Sequence, residues 1–178
     1  MINVEEHLSV RTHLARATGL GATICLCVVL AASAQAPTAQ LELPGYFRYS
    51  PAQLRAYQQS LRPRMNQLKQ AAEKLSDFGN HQAWIAHREA NGLAEIHETW
   101  TDFMLIVSGE ASLVLGGEID SPYAESPGEI RGSGVTGGAL RVVHEGDVVN
   151  IPAGMQHRFL VKEGSQVTFF TMKIEKVR

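Results

Sequence analysis

Four side chains have the types and spacing to do chemistry together: Glu95, His97, Asp102 and His157. Glu95 and His97 stand two residues apart, so on a β-strand both leave the same face while Ile96 leaves the other. Asp102 opens an apolar run, Phe103 to Val107, where a carboxylate is costly unless it is paired or holds a metal. His157 follows a Pro152-Ala153-Gly154 turn and enters a later apolar run. Two imidazoles and two carboxylates around one cavity form a mixed nitrogen–oxygen donor set. Such a set suits Zn, Fe, Mn, Ni or Co better than a soft, thiolate-seeking metal. Each residue also has a plainer reading. Either histidine can be a hydrogen-bonded core residue, and either carboxylate can orient His97 instead of touching a metal.

Bringing such distant residues together requires a curled sheet, and the chain after residue 80 reads as one. Short apolar runs alternate with glycine-rich turns: Trp84 to His87, Leu93 to His97, Phe103 to Val107, Ala111 to Leu115, Leu140 to Val143, Val148 to Ile151, Phe159 to Val161 and Val167 to Ile174. Many short strands separated by turns predict an antiparallel sandwich or barrel. One connection is too long for a hairpin: Ser121 to Gly138 holds five glycines and two prolines. At its centre Gly128-Glu129-Ile130-Arg131-Gly132 carries opposite charges between glycines, as expected of a lid over a polar pocket or of a surface excursion. Ahead of the strands, Ser50-Pro51 reads as a helix start, serine capping and proline in the first turn. Leu54, Tyr57, Leu61, Met65, Leu68, Ala72 and Leu75 then recur at three- and four-residue steps, one apolar stripe that Pro63 should kink or split. The stripe predicts a helix packed outside the main domain, or one side of a dimer interface.

Two stretches resemble the paired motifs of the cupin family. The second family motif, G-x5-P-x-G-x2-H-x3-N, is met by Gly146, Pro152, Gly154 and His157, with Val161 in place of the asparagine. The first, counted back from Gly109, places Asp102 at the family's glutamate, His97 at its second histidine and Glu95 at its first; its leading glycine is out of place. The resemblance implies an all-β fold, a cupin double-stranded β-helix or jelly-roll barrel, here with an N-terminal helical arm. It implies a divalent transition metal (Fe, Mn, Zn, Ni or Co) held by Glu95, His97, Asp102 and His157. Apart from the resemblance, the charged loop centre and the end of the last apolar run offer Glu129, Arg131 and Lys173 as second-tier candidates for substrate contact. It also implies a homodimer, and the expected partner of each barrel is a small-molecule ligand or substrate. The family spans many reactions, so the expectation stops at a metal-dependent enzyme acting on a small polar molecule, or a non-catalytic cup for a small molecule or sugar.

The N-terminus reads as a targeting segment. An apolar run, Leu20 to Ala32, follows Arg11 and Arg16 and closes on Ala32-Ser33-Ala34, the pattern of a secretory signal peptide. The expected organisation is therefore a signal peptide over 1–34, an arm over 35–80 and the barrel over 81–178. The protein is then periplasmic or secreted. Cleavage removes both cysteines, Cys25 and Cys27, and with them any thiolate ligand. The net charge of -2 gives no footprint for nucleic acid, and no run of like charges marks a membrane surface.

Overall fold

The computed structural model describes residues 43–177, so the signal-peptide segment and the start of the arm lie outside the described residues. Helix α1 (Pro51–Leu61) starts as its sequence predicts. Ser50 Oγ accepts from the Gln53 N–H at 3.3 Å, and Gln53 Oε1 accepts from the Ser50 N–H at 2.9 Å, a closed capping box. Pro63 has no N–H to give, and the chain tightens into one turn of 3-10 helix, Arg62–Arg64. There the helix ends. The stripe does not run on to Leu75: Lys69 takes a positive φ of 52°, the chain reverses, and strand β1 (Gln70–Asp77) begins. Ala72 and Leu75, three apart, would share a face in a helix but not in a strand. Leu75 packs with Leu54, Leu61 and Tyr57 from β1, whereas Ala72 lines the barrel cavity. The sheet thus takes in Gln70–Asp77, ahead of residue 81.

The remaining strands follow in order: β2 (His81–Arg88), β3 (Ala94–His97), β4 (Trp100–Leu115), β5 (Glu118–Asp120) and β6 (Tyr123–Ser126). Then come β7 (Glu129–Gly132), β8 (Gly134–Thr136), β9 (Ala139–His144), β10 (Val148–Ile151), β11 (His157–Leu160) and β12 (Val167–Glu175). The runs Phe103 to Val107 and Ala111 to Leu115 are one strand, not two. Its first half pairs with β12 and β10; its second half pairs with β9 and β11. The order β1-β2-β12-β4-β11-β3-β7-β6 therefore bends at β4 into two antiparallel layers sharing one strand. Gly109 sits where partners change, with φ of 79° and no room for a side chain, since a Cβ would lie 2.0 Å from the Gln166 carbonyl oxygen. The architecture is a curled, antiparallel all-β barrel with one short N-terminal helix.

Alternation divides the side chains between two clusters. Ala86, Met104, Ile106, Leu113, Phe159 and Phe169 pack between the layers. Ile85, Leu105, Val107 and Phe170, on the opposite faces of the same strands, pack under α1 with Leu54 and Leu61. Leu61 is fully buried there, worth about 2 kcal/mol by area, and pins the helix to the outside of the sheet. The Ser121 to Gly138 connection is not a loose excursion. It folds into β6, β7 and β8, and β7 adds to β3 as part of the barrel wall.

Candidate functional site

Strand register builds the site. Glu95 on β3 lies directly opposite His157 on β11 and opposite Arg131 on β7. His97, two residues on, lies opposite Glu129. Asp102 on β4 lies opposite Lys173 on β12. All four expected site residues, Glu95, His97, Asp102 and His157, therefore line one cavity of about 480 Å³, a size ordinary for a small-molecule pocket. Glu129, Arg131 and Lys173 line it too, with Trp84 and Trp100. His87 does not. It faces the helix side, fully buried, with its ring nitrogens on Thr168 Oγ1 at 2.8 Å and Glu89 Oε1 at 3.2 Å. Alternation then turns its neighbour Arg88 inward, a cavity residue that the sequence pattern left unremarked.

Both imidazoles are held by one nitrogen and offer the other. His97 Nδ1–H donates to Glu129 Oε2, and His157 Nδ1–H donates to the Met155 carbonyl at 3.1 Å. Each Nε2 is left facing the carboxylates. His97 Nε2 lies 3.6 Å from Glu95 Oε2 and 3.3 Å from Asp102 Oδ2; His157 Nε2 lies 3.9 and 3.8 Å from the same two oxygens. Donors ~3.4 Å apart are the edges of a tetrahedron whose bonds to the ion are about 2.1 Å. The separations of both Nε2 atoms from Glu95 Oε2 come close to that edge length. Among the described residues, the group whose ligand atoms all fall within 4.8 Å of one another is Glu95, His97 and His157. Asp102 stands outside that trio.

Cations already attend both carboxylates. Arg88 Nη2 donates to Glu95 Oε1 at 2.8 Å, and Arg131 donates to Glu95 Oε2, the oxygen that faces the histidines. Lys173 Nζ donates to Asp102 Oδ1 at 3.0 Å. Burial pushes all three carboxylates of the site upward, yet their partners prevail: Arg88 and Arg131 hold Glu95 well below its ordinary range. His97 and Lys173 do so for Asp102, and His97 for Glu129. Burial also opposes a charged His97, but its hydrogen bonds to Asp102 and Glu129 outweigh that and raise it to about 9. Burial keeps His157 below the usual imidazole range in spite of Glu95 and Asp102. Without a metal the site therefore holds an imidazolium at His97 and a neutral ring at His157, so a metal arriving at His97 must displace a proton.

No family model matches the chain, and no curated relative matches it in sequence. Solved structures overlap it in part. The polyketide cyclase RemF from Streptomyces resistomycificus is similar at 17% identity over 60% of this chain and 65% of its own, with a TM-score of 0.43. A cupin-2 domain from Rhodospirillum rubrum is similar at 16% identity over 62% and 63%, with a TM-score of 0.44. The DMSP lyase DddQ from Ruegeria pomeroyi DSS-3 gives 15% identity over 62% and 49%, also at 0.44. The chain spans less than two thirds of the length of each of these three. Their names describe a cyclase, a domain and a lyase, so no single reaction is common to them. The barrel of this chain is read from its own strand pairing, in which one long strand is shared by two antiparallel layers.

Proposed function

We propose that the protein is an exported, metal-binding cupin protein that acts on a small polar molecule within the barrel. His97, His157 and Glu95 hold a divalent transition metal, with Asp102 Oδ2 as the fourth donor. One observation carries this reading: each histidine spends Nδ1 on a fixed acceptor and presents Nε2 to the other and to Glu95. Bound there, the metal would supply a Lewis acid able to polarise a substrate oxygen or activate water or dioxygen. The protein's own part is to fix the orientation of both imidazoles through Nδ1, so that each Nε2 is turned toward the carboxylates. Glu129 takes the His97 Nδ1 proton in a hydrogen bond, and Trp84 and Trp100 shape the space around the donors.

A second reading is supported by the cations. Glu95 is neutralised by two arginines and Asp102 by a lysine, so the site is charge-matched without a metal, as in a non-catalytic binding cup. Elemental analysis of protein purified without a histidine tag separates the two. Near-stoichiometric Fe, Mn, Zn, Ni or Co that is lost in both His97→Ala and His157→Ala supports the metal centre. No metal after reconstitution with each ion leaves the cup. Export is proposed from residues 1–34, and a secreted product whose mass starts near residue 35 tests it. A homodimer is proposed as well, with exposed Phe103 and Val148 as the apolar side chains to cover; light scattering in solution decides it.

A further inference from the structure

His87, fully buried and outside the metal site, sits at the centre of a hydrogen-bond chain beneath α1. Its Nε2 lies 3.2 Å from Glu89 Oε1, and its Nδ1 2.8 Å from Thr168 Oγ1. Thr168 Oγ1 lies 3.3 Å from the Gln166 side-chain amide, which reaches Ser108 Oγ at 3.4 Å. Ser108 Oγ in turn reaches Gln58 Oε1 on α1 at 2.8 Å. A carboxylate, an imidazole and a hydroxyl in this order are the parts of a nucleophilic triad. Thr168 is fully buried, however, so no substrate can reach its hydroxyl. What the chain can do is carry the effect of a proton from β2 to the helix.

The chain has two states, fixed by where its hydrogens can go. Glu89 only accepts, its carboxyl held below the ordinary range by the bond from His87 and then by Arg62. His87 Nε2 therefore carries a hydrogen in both states. In a neutral ring Nδ1 is bare, so Thr168 spends its one hydrogen there and Gln166 must turn its NH2 toward Thr168. Ser108 then donates to Gln166 and accepts from the Gln58 NH2. In a charged ring Nδ1–H donates to Thr168, and every link reverses. Thr168 donates to Gln166 Oε1, Gln166 Nε2 to Ser108, and Ser108 to Gln58 Oε1, which is the direction the structure has. This direction is also the stronger, because the imidazolium assists the bonds that run outward from it.

The charged surroundings of His87 are sparse. Arg62, in the 3-10 turn, bonds the same Glu89 oxygen at 2.7 Å. Lys69, ahead of β1, lines a second cavity of about 340 Å³ with Glu89, Arg62, Gln58 and Gln166. Farther along that face β1 brings Glu73, paired with Arg64, and α1 brings Tyr57. To the chain itself β12 and β4 bring the neutral Gln166, Thr168 and Ser108.

We propose that proton uptake by His87 sets the direction of this chain and so governs how firmly α1 is held on the sheet, more firmly when His87 is charged. The test follows full-length protein, as purified and labelled with ¹⁵N, by NMR across the pH range in which it stays folded. The His87 ring nitrogens report its protonation. Amide exchange in α1, corrected for its intrinsic pH dependence, reports the hold on the helix. Protection in α1 should fall roughly fivefold as Nδ1 loses its proton, the difference between a charge-assisted and a neutral hydrogen bond. Thr168→Val, close to isosteric, cuts the chain and should abolish that dependence while His87 still titrates. Ser108→Ala should do the same at the next link but one. A His87 ring that keeps one protonation state throughout overturns the proposal. So does α1 protection that stays level or rises as the proton leaves, or a dependence that survives in either variant.

Discussion

Glu129 reaches His97 because β7 lies antiparallel to β3 with these two residues opposite each other, so the hydrogen bond between them is a product of register. Glu129→Ala removes the acceptor and leaves the Nδ1–H of a His97 ring that is only 5% exposed without its partner. A hydrogen bond to a charged partner is worth about 1.5–3 kcal/mol. Partners that orient a metal-binding histidine typically carry ~10–100-fold in affinity, which is the same range at about 1.4 kcal/mol per tenfold. Glu129 itself is 23% exposed, so water can replace part of what it gives. The expected loss is therefore at the low end, about 10–30-fold in zinc affinity. Glu129→Gln keeps a carbonyl that can accept from Nδ1–H, and should lose roughly threefold or less on the strength of a neutral hydrogen bond. Competition against a chromophoric chelator at fixed pH reads all three proteins. An alanine variant within twofold of wild type, or one that binds tighter than the glutamine variant, refutes the reasoning. His97→Ala, run beside them, must abolish binding for the comparison to stand.

Three further outcomes follow from the same geometry. The pKa of His97 stands at about 9 in the folded protein against an ordinary 6.5, so its contribution to stability is complete below about 6.5 and lost as pH rises to about 9. The site carboxylates, all lowered, and His157, also lowered, hold their charge states through that window. Melting of the metal-free protein should accordingly move several degrees lower between pH 6.5 and 9, whereas a flat profile would count against an imidazolium at His97. Arg131→Ala removes the guanidinium from the Glu95 oxygen that faces the histidines. It should destabilise the metal-free protein by about 1–3 kcal/mol, because Arg88 still pairs Glu95, while tightening zinc binding by roughly threefold or more as a competing cation is lost; denaturant melts and the chelator assay check both signs. Gly109→Ala forces a Cβ against the Gln166 carbonyl at a positive φ, and chemical denaturation should show a loss of about 2–5 kcal/mol with no selective effect on the metal donors.

The residues that local rules govern were legible in the sequence. Period two alone put Glu95 and His97 on one face, and Ser50 with Pro51 marked the helix start to the residue. What the sequence hid was long-range. Gly109 reads as a turn between strands, yet it bends a single strand, because its glycine conformation accommodates a change of partner rather than a reversal. Asp102 fills a ligand position in the motif, but only register reveals that Lys173 lies across from it and takes one of its oxygens. Arg88 escaped notice for a simpler reason: in His87-Arg88 the histidine is the familiar ligand type, and nothing local says which of two adjacent residues faces inward. Put together, the hidden contacts follow one rule. Glu95 has Arg131 across the strand boundary, Asp102 has Lys173, and His97 has Glu129, so each charged donor stands opposite its counter-charge on a neighbouring strand. A one-residue slip of β7 or β12 would move those partners to the other face and leave the donors buried and uncompensated. The pairs that neutralise the site thus also favour the register that assembles it, which ties the site's chemistry to the fold's stability.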